Sequence, residues 1–87
     1  MKYRIFLEKR AQRDLESIEE PDHTHIYTKL QQLKEGFSPD LDIRKLKGIQ
    51  NTYRLRVGTW RIIFELCPDY QIVIIGIRPR KTVYRDY

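Results

Sequence analysis

Residues 53–66 read Tyr-Arg-Leu-Arg-Val-Gly-Thr-Trp-Arg-Ile-Ile-Phe-Glu-Leu, two alternating runs separated by Gly58-Thr59. Side chains of a strand point to opposite faces in turn, so Tyr53, Leu55 and Val57 share one face while Arg54 and Arg56 take the other. A two-residue link with glycine first fits a II′ hairpin, whose first turn position requires φ > 0. In the strand that follows, Trp60, Ile62, Phe64 and Leu66 fall on one face and Arg61, Ile63 and Glu65 on the other. One core can take both apolar faces, which leaves Arg54, Arg56 and Arg61 close together on the reverse. Like charges at neighbouring cross-strand positions repel and lower stability. A binding site for an anion is the simplest reason to assemble them.

The flanking sequence supplies the rest of a small α+β domain. Residues 2–7 alternate Tyr3, Ile5 and Leu7 with Lys2, Arg4 and Phe6, a first strand. Residues 8–19 change period: Ala11, Leu15 and Ile18 form a single helical stripe. Pro21 interrupts that helix and opens a second, where the first turn tolerates proline and the helix dipole favours acidic residues. Its stripe is Ile26, Leu30 and Leu33, and Gly36 stands where a C-terminal cap belongs. The two helices form a hairpin able to cover one face of a sheet. Residues 37–42 read as a loop and 43–47 as a short strand ended by Gly48. Residues 71–78, with Ile72, Val73, Ile74, Ile75 and Ile77, suit a central strand covered on both sides. Gly76 within it would permit close approach of a backbone or ligand.

Size and charge restrict function. Eighty-seven residues make one domain with a single core. No run nears the ~20 apolar residues of a membrane span, and the charged, alternating N-terminus does not resemble a signal peptide. Cys67 is the one cysteine, so no internal disulfide forms and a reducing, cytoplasmic setting is expected. The net charge of +5 is uneven. Residues 1–43 carry seven Lys/Arg against nine Asp/Glu, net −2, and residues 44–87 carry ten against three, net +7. Such asymmetry is the electrostatic footprint of a nucleic acid or acidic protein partner.

Most catalytic chemistries lack their residues here. His23 and His25 are two apart, so on a helix they diverge, and no cysteine joins them as a metal ligand. Cys67 has no activating neighbour in the sequence and reads as an inert filler. There is no phosphate-binding glycine loop or nucleophile elbow. What remains is arginine with tyrosine. Arg78 ends the last strand, and Arg80, Lys81, Tyr84 and Arg85 follow in a basic, aromatic tail. Guanidinium groups gathered on one face can clamp a phosphodiester by forked hydrogen bonds and oppose charge developing in a transition state. A tyrosine beside them can stack on an unpaired base.

At these residues the chain resembles the RelE/ParE superfamily of toxins from type II toxin–antitoxin pairs. The resemblance runs through residues 45–48 (Lys-Leu-Lys-Gly), 53–58 (Tyr-Arg-Leu-Arg-Val-Gly), 60–65 (Trp-Arg-Ile-Ile-Phe-Glu) and 78–85 (Arg-Pro-Arg-Lys-Thr-Val-Tyr-Arg). It implies a β-α-α-β-β-β order, with a two-helix hairpin on a small, mainly antiparallel, twisted sheet of microbial-RNase-like type. RelE-type members cut mRNA in the ribosomal A site by attack of a ribose 2′-hydroxyl on the adjacent phosphate, without metal or cofactor. Carried over position by position, their catalytic set falls on Arg54, Arg56, Arg61, Arg78 or Arg80, and Tyr84. Lys45, Lys47, Lys81 and Arg85 are the expected substrate-binding cations. ParE-type members poison DNA gyrase and lack this set, which favours the RNase branch. A gyrase inhibitor and a non-catalytic antitoxin- or RNA-binding member are the alternatives. The implied partners are the ribosome with its mRNA and a cognate acidic antitoxin.

One departure bears on mechanism. Arg54 and Arg56 stand where RelE enzymes often carry lysines, and arginine, with a pKa of roughly 12.5–13.8, is a poor general base at neutral pH. Charge stabilisation and orientation, with the ribosome supplying the rest, is the expected mode of action.

Overall fold

The computed structural model describes residues 2–79. Its elements are β1 (Arg4–Leu7), α1 (Lys9–Ser17), α2 (Asp22–Leu33), β2 (Asp42–Lys45), β3 (Thr52–Val57), β4 (Trp60–Cys67) and β5 (Gln71–Pro79). The strands form one sheet in the order β1-β5-β4-β3-β2. β1 pairs with β5 in parallel, and every other pairing is antiparallel. This is the expected α+β architecture with one addition. The short segment at 43–47 is a true strand, β2, which forms the far edge and brings the sheet to five strands.

Both helices pack on one face. Ala11, Ile18, Ile26, Leu30 and Leu33 meet Leu55, Val57, Ile62, Phe64, Ile72, Ile74 and Ile77 in a single buried cluster. These are the stripes and alternating positions read from the sequence, and burying that apolar area is the main source of stability for a domain this small. Ile18 contributes from just beyond α1, where it is the C-cap residue. α2 starts after Pro21, and the exposed carboxylate of Glu20 accepts a 3.0 Å hydrogen bond from the Thr24 N–H. Hydrogen bonding from Thr24, its side chain first and then its N–H, lowers the Glu20 pKa from its ordinary value, because such donors favour the charged form.

The β3–β4 hairpin has the predicted turn. Gly58 has φ of +59°, whereas Thr59 is not among the residues with positive φ, so the turn is of the II′ kind rather than I′. Tyr53 lies opposite Phe64, Leu55 opposite Ile62 and Val57 opposite Trp60. The Trp60 indole N–H donates to Asp22 at 2.9 Å, which ties the hairpin to the first residue of α2. At the other end, Phe37 closes the core with its ring against those of Tyr3, Tyr53 and Phe64.

β5 departs from expectation in a way that matters for the site. It is interior to the sheet, but Val73 and Ile75 are only half-buried, so the strand is not fully covered on its second face. Its register with β4 also shifts. Ile63 pairs with Gly76 and Phe64 with Ile74, so Ile75 is an extra residue in a β-bulge. Before the bulge Ile72 and Ile74 face the core, and after it Ile77 does. Unbroken alternation would have put residue 78 on the core side; the bulge turns Arg78 to the other face. Thus Gly76 marks a bulge, one of the two uses of a strand glycine.

Phe64 is fully buried and central to both the apolar cluster and the aromatic closure. Phe64→Ala should therefore lower unfolding free energy by about 3–5 kcal/mol, measurable by urea denaturation, whereas a loss below about 1 kcal/mol would contradict this packing.

Candidate active site

The face opposite the helices carries a row of cations set by strand register. Asp42 on β2 pairs with Arg56 on β3, Arg56 with Arg61 on β4, and Arg61 with Arg78 on β5. In the adjacent row Arg44 pairs with Arg54, Arg54 with Ile63, and Ile63 with Gly76. Directly opposed residues have Cβ atoms about 4.5–5.5 Å apart. Arg54, Arg56, Arg61 and Arg78 are therefore brought together on one face, as the sequence suggested.

Their environments differ sharply, which alternation alone could not reveal. Arg56 is exposed, but Arg54 retains 6% and Arg61 only 2% of its accessible surface. Each buried cation has partners. Arg54 donates from Nη2 to Asp42 Oδ1 at 3.2 Å, a diagonal bridge to the edge strand. Arg61 donates from Nη1 to the carbonyls of Trp60 at 3.0 Å and Gly58 at 3.3 Å, bracing the hairpin turn. Its buried Nε–H has no acceptor among the described residues. Buried N–H groups in native proteins nearly always have partners, so this donor stands out among the described residues.

Arg78 is held from outside the sheet. Its Nη1 donates to Asp14 Oδ2 on α1 at 2.6 Å, and the backbone N–H of Ile77 donates to the same oxygen at 3.0 Å. Neither Asp14 nor Asp42 was singled out from the sequence. Asp14 lies in a helix with charge on every side, Asp42 borders a loop, and their partners are distant in the chain. A carboxylate near a strand terminus in a cation-rich sheet was the only available signal, and it is weak.

The remaining candidates are dispersed or lie elsewhere. Lys45 ends β2 opposite Tyr53, and with Lys47 it borders a cleft of about 520 Å³ formed by residues 45–50. That cleft belongs to the β2–β3 connection rather than to the Arg56–Arg61–Arg78 row. Arg80, Lys81, Tyr84 and Arg85 lie outside the described residues. Cys67 sits with Sγ 3.4 Å from Glu65 Oε1. Burial first, then this hydrogen bond and the carboxylate's charge, push its thiol pKa up, so it stays protonated at neutral pH and is a poor nucleophile.

Comparison with known proteins follows the same outline. The sequence profile of the ParE toxin of type II toxin–antitoxin system, parDE, matches residues 5–84. The protein designated RelE1 of Methanocaldococcus jannaschii is 29% identical over 89 residues, covering 99% of each chain. Toxin RelE3 of that organism is 47% identical over 47 residues, 54% of this chain and 51% of that one. Among solved structures, the RelB–RelE antitoxin–toxin complex from Methanococcus jannaschii contains a chain that matches this fold with a TM-score of 0.80. The identity is 27%, with 94% of this chain and 98% of that chain covered.

The contrast between Arg61 and Arg56 is testable without any substrate. Arg61→Ala should cost about 1–3 kcal/mol, because it removes a buried side chain and two hydrogen bonds at the turn. Arg56→Ala, on an exposed strand position, should stay within about 0.5 kcal/mol of the parent. Thermal and urea unfolding of the two variants reads the difference, and equal stabilities would contradict the bracing role of Arg61.

Proposed function

Because the chain belongs to the ParE/RelE family of type II toxins, on its RelE-like branch, we propose that it is a ribosome-dependent endoribonuclease that halts translation by cutting mRNA. The observation that supports this reading is the row of Arg56, Arg61 and Arg78 on one sheet face, where the buried Arg61 Nε–H has no acceptor among the described residues. In this reading a non-bridging phosphate oxygen accepts from Arg61 once substrate binding uncovers it. Arg56, exposed beside it, adds a second donor, and the Asp42-bound Arg54 contributes positive potential from the next row.

In the proposed reaction a ribose 2′-oxygen attacks the adjacent phosphorus and gives up its proton. The bond from phosphorus to the 5′-oxygen breaks, and that oxygen leaves with a proton. The products are a 2′,3′-cyclic phosphate and a 5′-hydroxyl. Negative charge grows on the non-bridging oxygens in between, and fixed guanidinium donors oppose it without reorganising. Arginine is already protonated at neutral pH and gives up its proton only with difficulty, so the chain's own contribution is charge stabilisation and orientation, with water taking and supplying the protons. Alignment of the attacking oxygen with the leaving group is assigned to the ribosome, which holds the message in place. By resemblance, Arg78 or Arg80 acts at the leaving group, and Tyr84 stacks on a base.

Primer extension on ribosome-bound message tests the reaction. Added protein should produce discrete cuts with cyclic-phosphate or 3′-phosphate ends, and free RNA should be cut poorly. Arg56→Ala should lower the cleavage rate roughly 100-fold while folding normally. No cuts, with gyrase-dependent DNA breaks instead, would replace this reading by that of a gyrase poison.

An antitoxin partner follows from the same reading, since a related chain was solved bound to its RelB antitoxin. The net charge of +7 over residues 44–87 favours an acidic, partly disordered segment that orders on binding. Its association rate should fall at least tenfold between low and physiological salt, as stopped-flow mixing would show. A salt-independent rate would argue for an apolar interface instead.

A further inference from the structure

The structure assigns Asp14 as the positioning residue for Arg78, an inference that rests on the ribonuclease reading above. β1 pairs with β5 only as far as Leu7 opposite Ile74, after which the Glu8 N–H bonds the Ile74 carbonyl and the chain turns into α1. From there on β5 has no strand on that side among the described residues. An open strand edge presents backbone donors that need acceptors. Asp14, in the second turn of α1, supplies one by accepting from the Ile77 N–H at 3.0 Å.

The same oxygen takes the Arg78 Nη1 at 2.6 Å, within the range of a strong charge-assisted bond. One carboxylate thus fixes both the backbone of β5 next to Arg78 and the guanidinium that Arg78 carries. The pair is largely shielded, with side-chain exposure of 12% for Arg78 and 21% for Asp14. A cation held in this way meets a developing charge without first being ordered. Asp14 lies on a helix and touches no reacting atom; it acts through Arg78. Arg54 has a looser counterpart in Asp42, whose side chain is 49% exposed.

The decisive variant is Asp14→Asn, which keeps an oxygen acceptor for the Ile77 N–H but removes the charge that holds Arg78. Circular dichroism should show it folded. On ribosome-bound message its kcat should fall roughly 10- to 100-fold with KM within about twofold. Arg78→Ala should fall at least as far, and Asp14→Asn combined with Arg78→Ala should be no slower than Arg78→Ala alone, because both act through one guanidinium. Asp14→Glu, which keeps the charge on a longer arm, should fall between the parent and Asp14→Asn; it also serves if the asparagine variant does not fold. A double variant slower than Arg78→Ala, or rates that simply track melting temperature, would reduce Asp14 to a structural residue and overturn the assignment. Unchanged kcat in Asp14→Asn would do so as well. A parent protein that cuts nothing overturns the ribonuclease reading itself, and the assignment with it.

Discussion

Strand parity governs everything on the candidate face. Side chains alternate with period 2, so three adjacent strands must all keep phase for Arg56, Arg61 and Arg78 to lie side by side. β3 and β4 do so through a two-residue turn that fixes their register. β5 does so only because its bulge inserts one residue before Gly76. Regular alternation over the same residues would put Arg78 on the core side and bring Ile77 out. The bulge therefore connects the packing of the hydrophobic core to the composition of the opposite face.

Gathering cations by register creates repulsion that local structure must offset. Each buried guanidinium is offset differently. Arg54 has a carboxylate on the edge strand, Arg61 has the carbonyls of its own turn, and Arg78 has a carboxylate reaching in from a helix. Carbonyl dipoles are weaker counterparts than a carboxylate, and the Nε of Arg61 has no acceptor among the described residues.

The legible parts of this fold were those with strong periodicity. The helical stripes, the hairpin at Gly58 and the outward side of Arg54, Arg56 and Arg61 all follow from spacing within about ten residues. Between Ile72 and Ile77, five branched aliphatics surround one glycine, so no period survives to reveal a change of phase. The bulge was accordingly invisible, and Val73 and Ile75 are less covered than a continuous apolar run implies. The burial of Arg54 and Arg61 was equally hidden, because alternation gives a side chain's direction but not its cover. Asp14 and Asp42 acquire their roles from neighbours 64 and 12 residues away, which no local pattern encodes.

The choice of arginine has a structural consequence beyond its unsuitability as a base. A lysine presents a point charge on a flexible stem, and its proton affinity shifts readily on burial. A guanidinium keeps its charge when buried and divides its donors among several acceptors in a fixed plane. Arg61 makes use of both properties. Its Nη1 braces the hairpin turn from a buried position while its Nε has no partner among the described residues. The same property lets Arg78 keep its charge while Nη1 bonds Asp14. An arginine row built this way exchanges acid–base versatility for donors whose positions are set by the core itself.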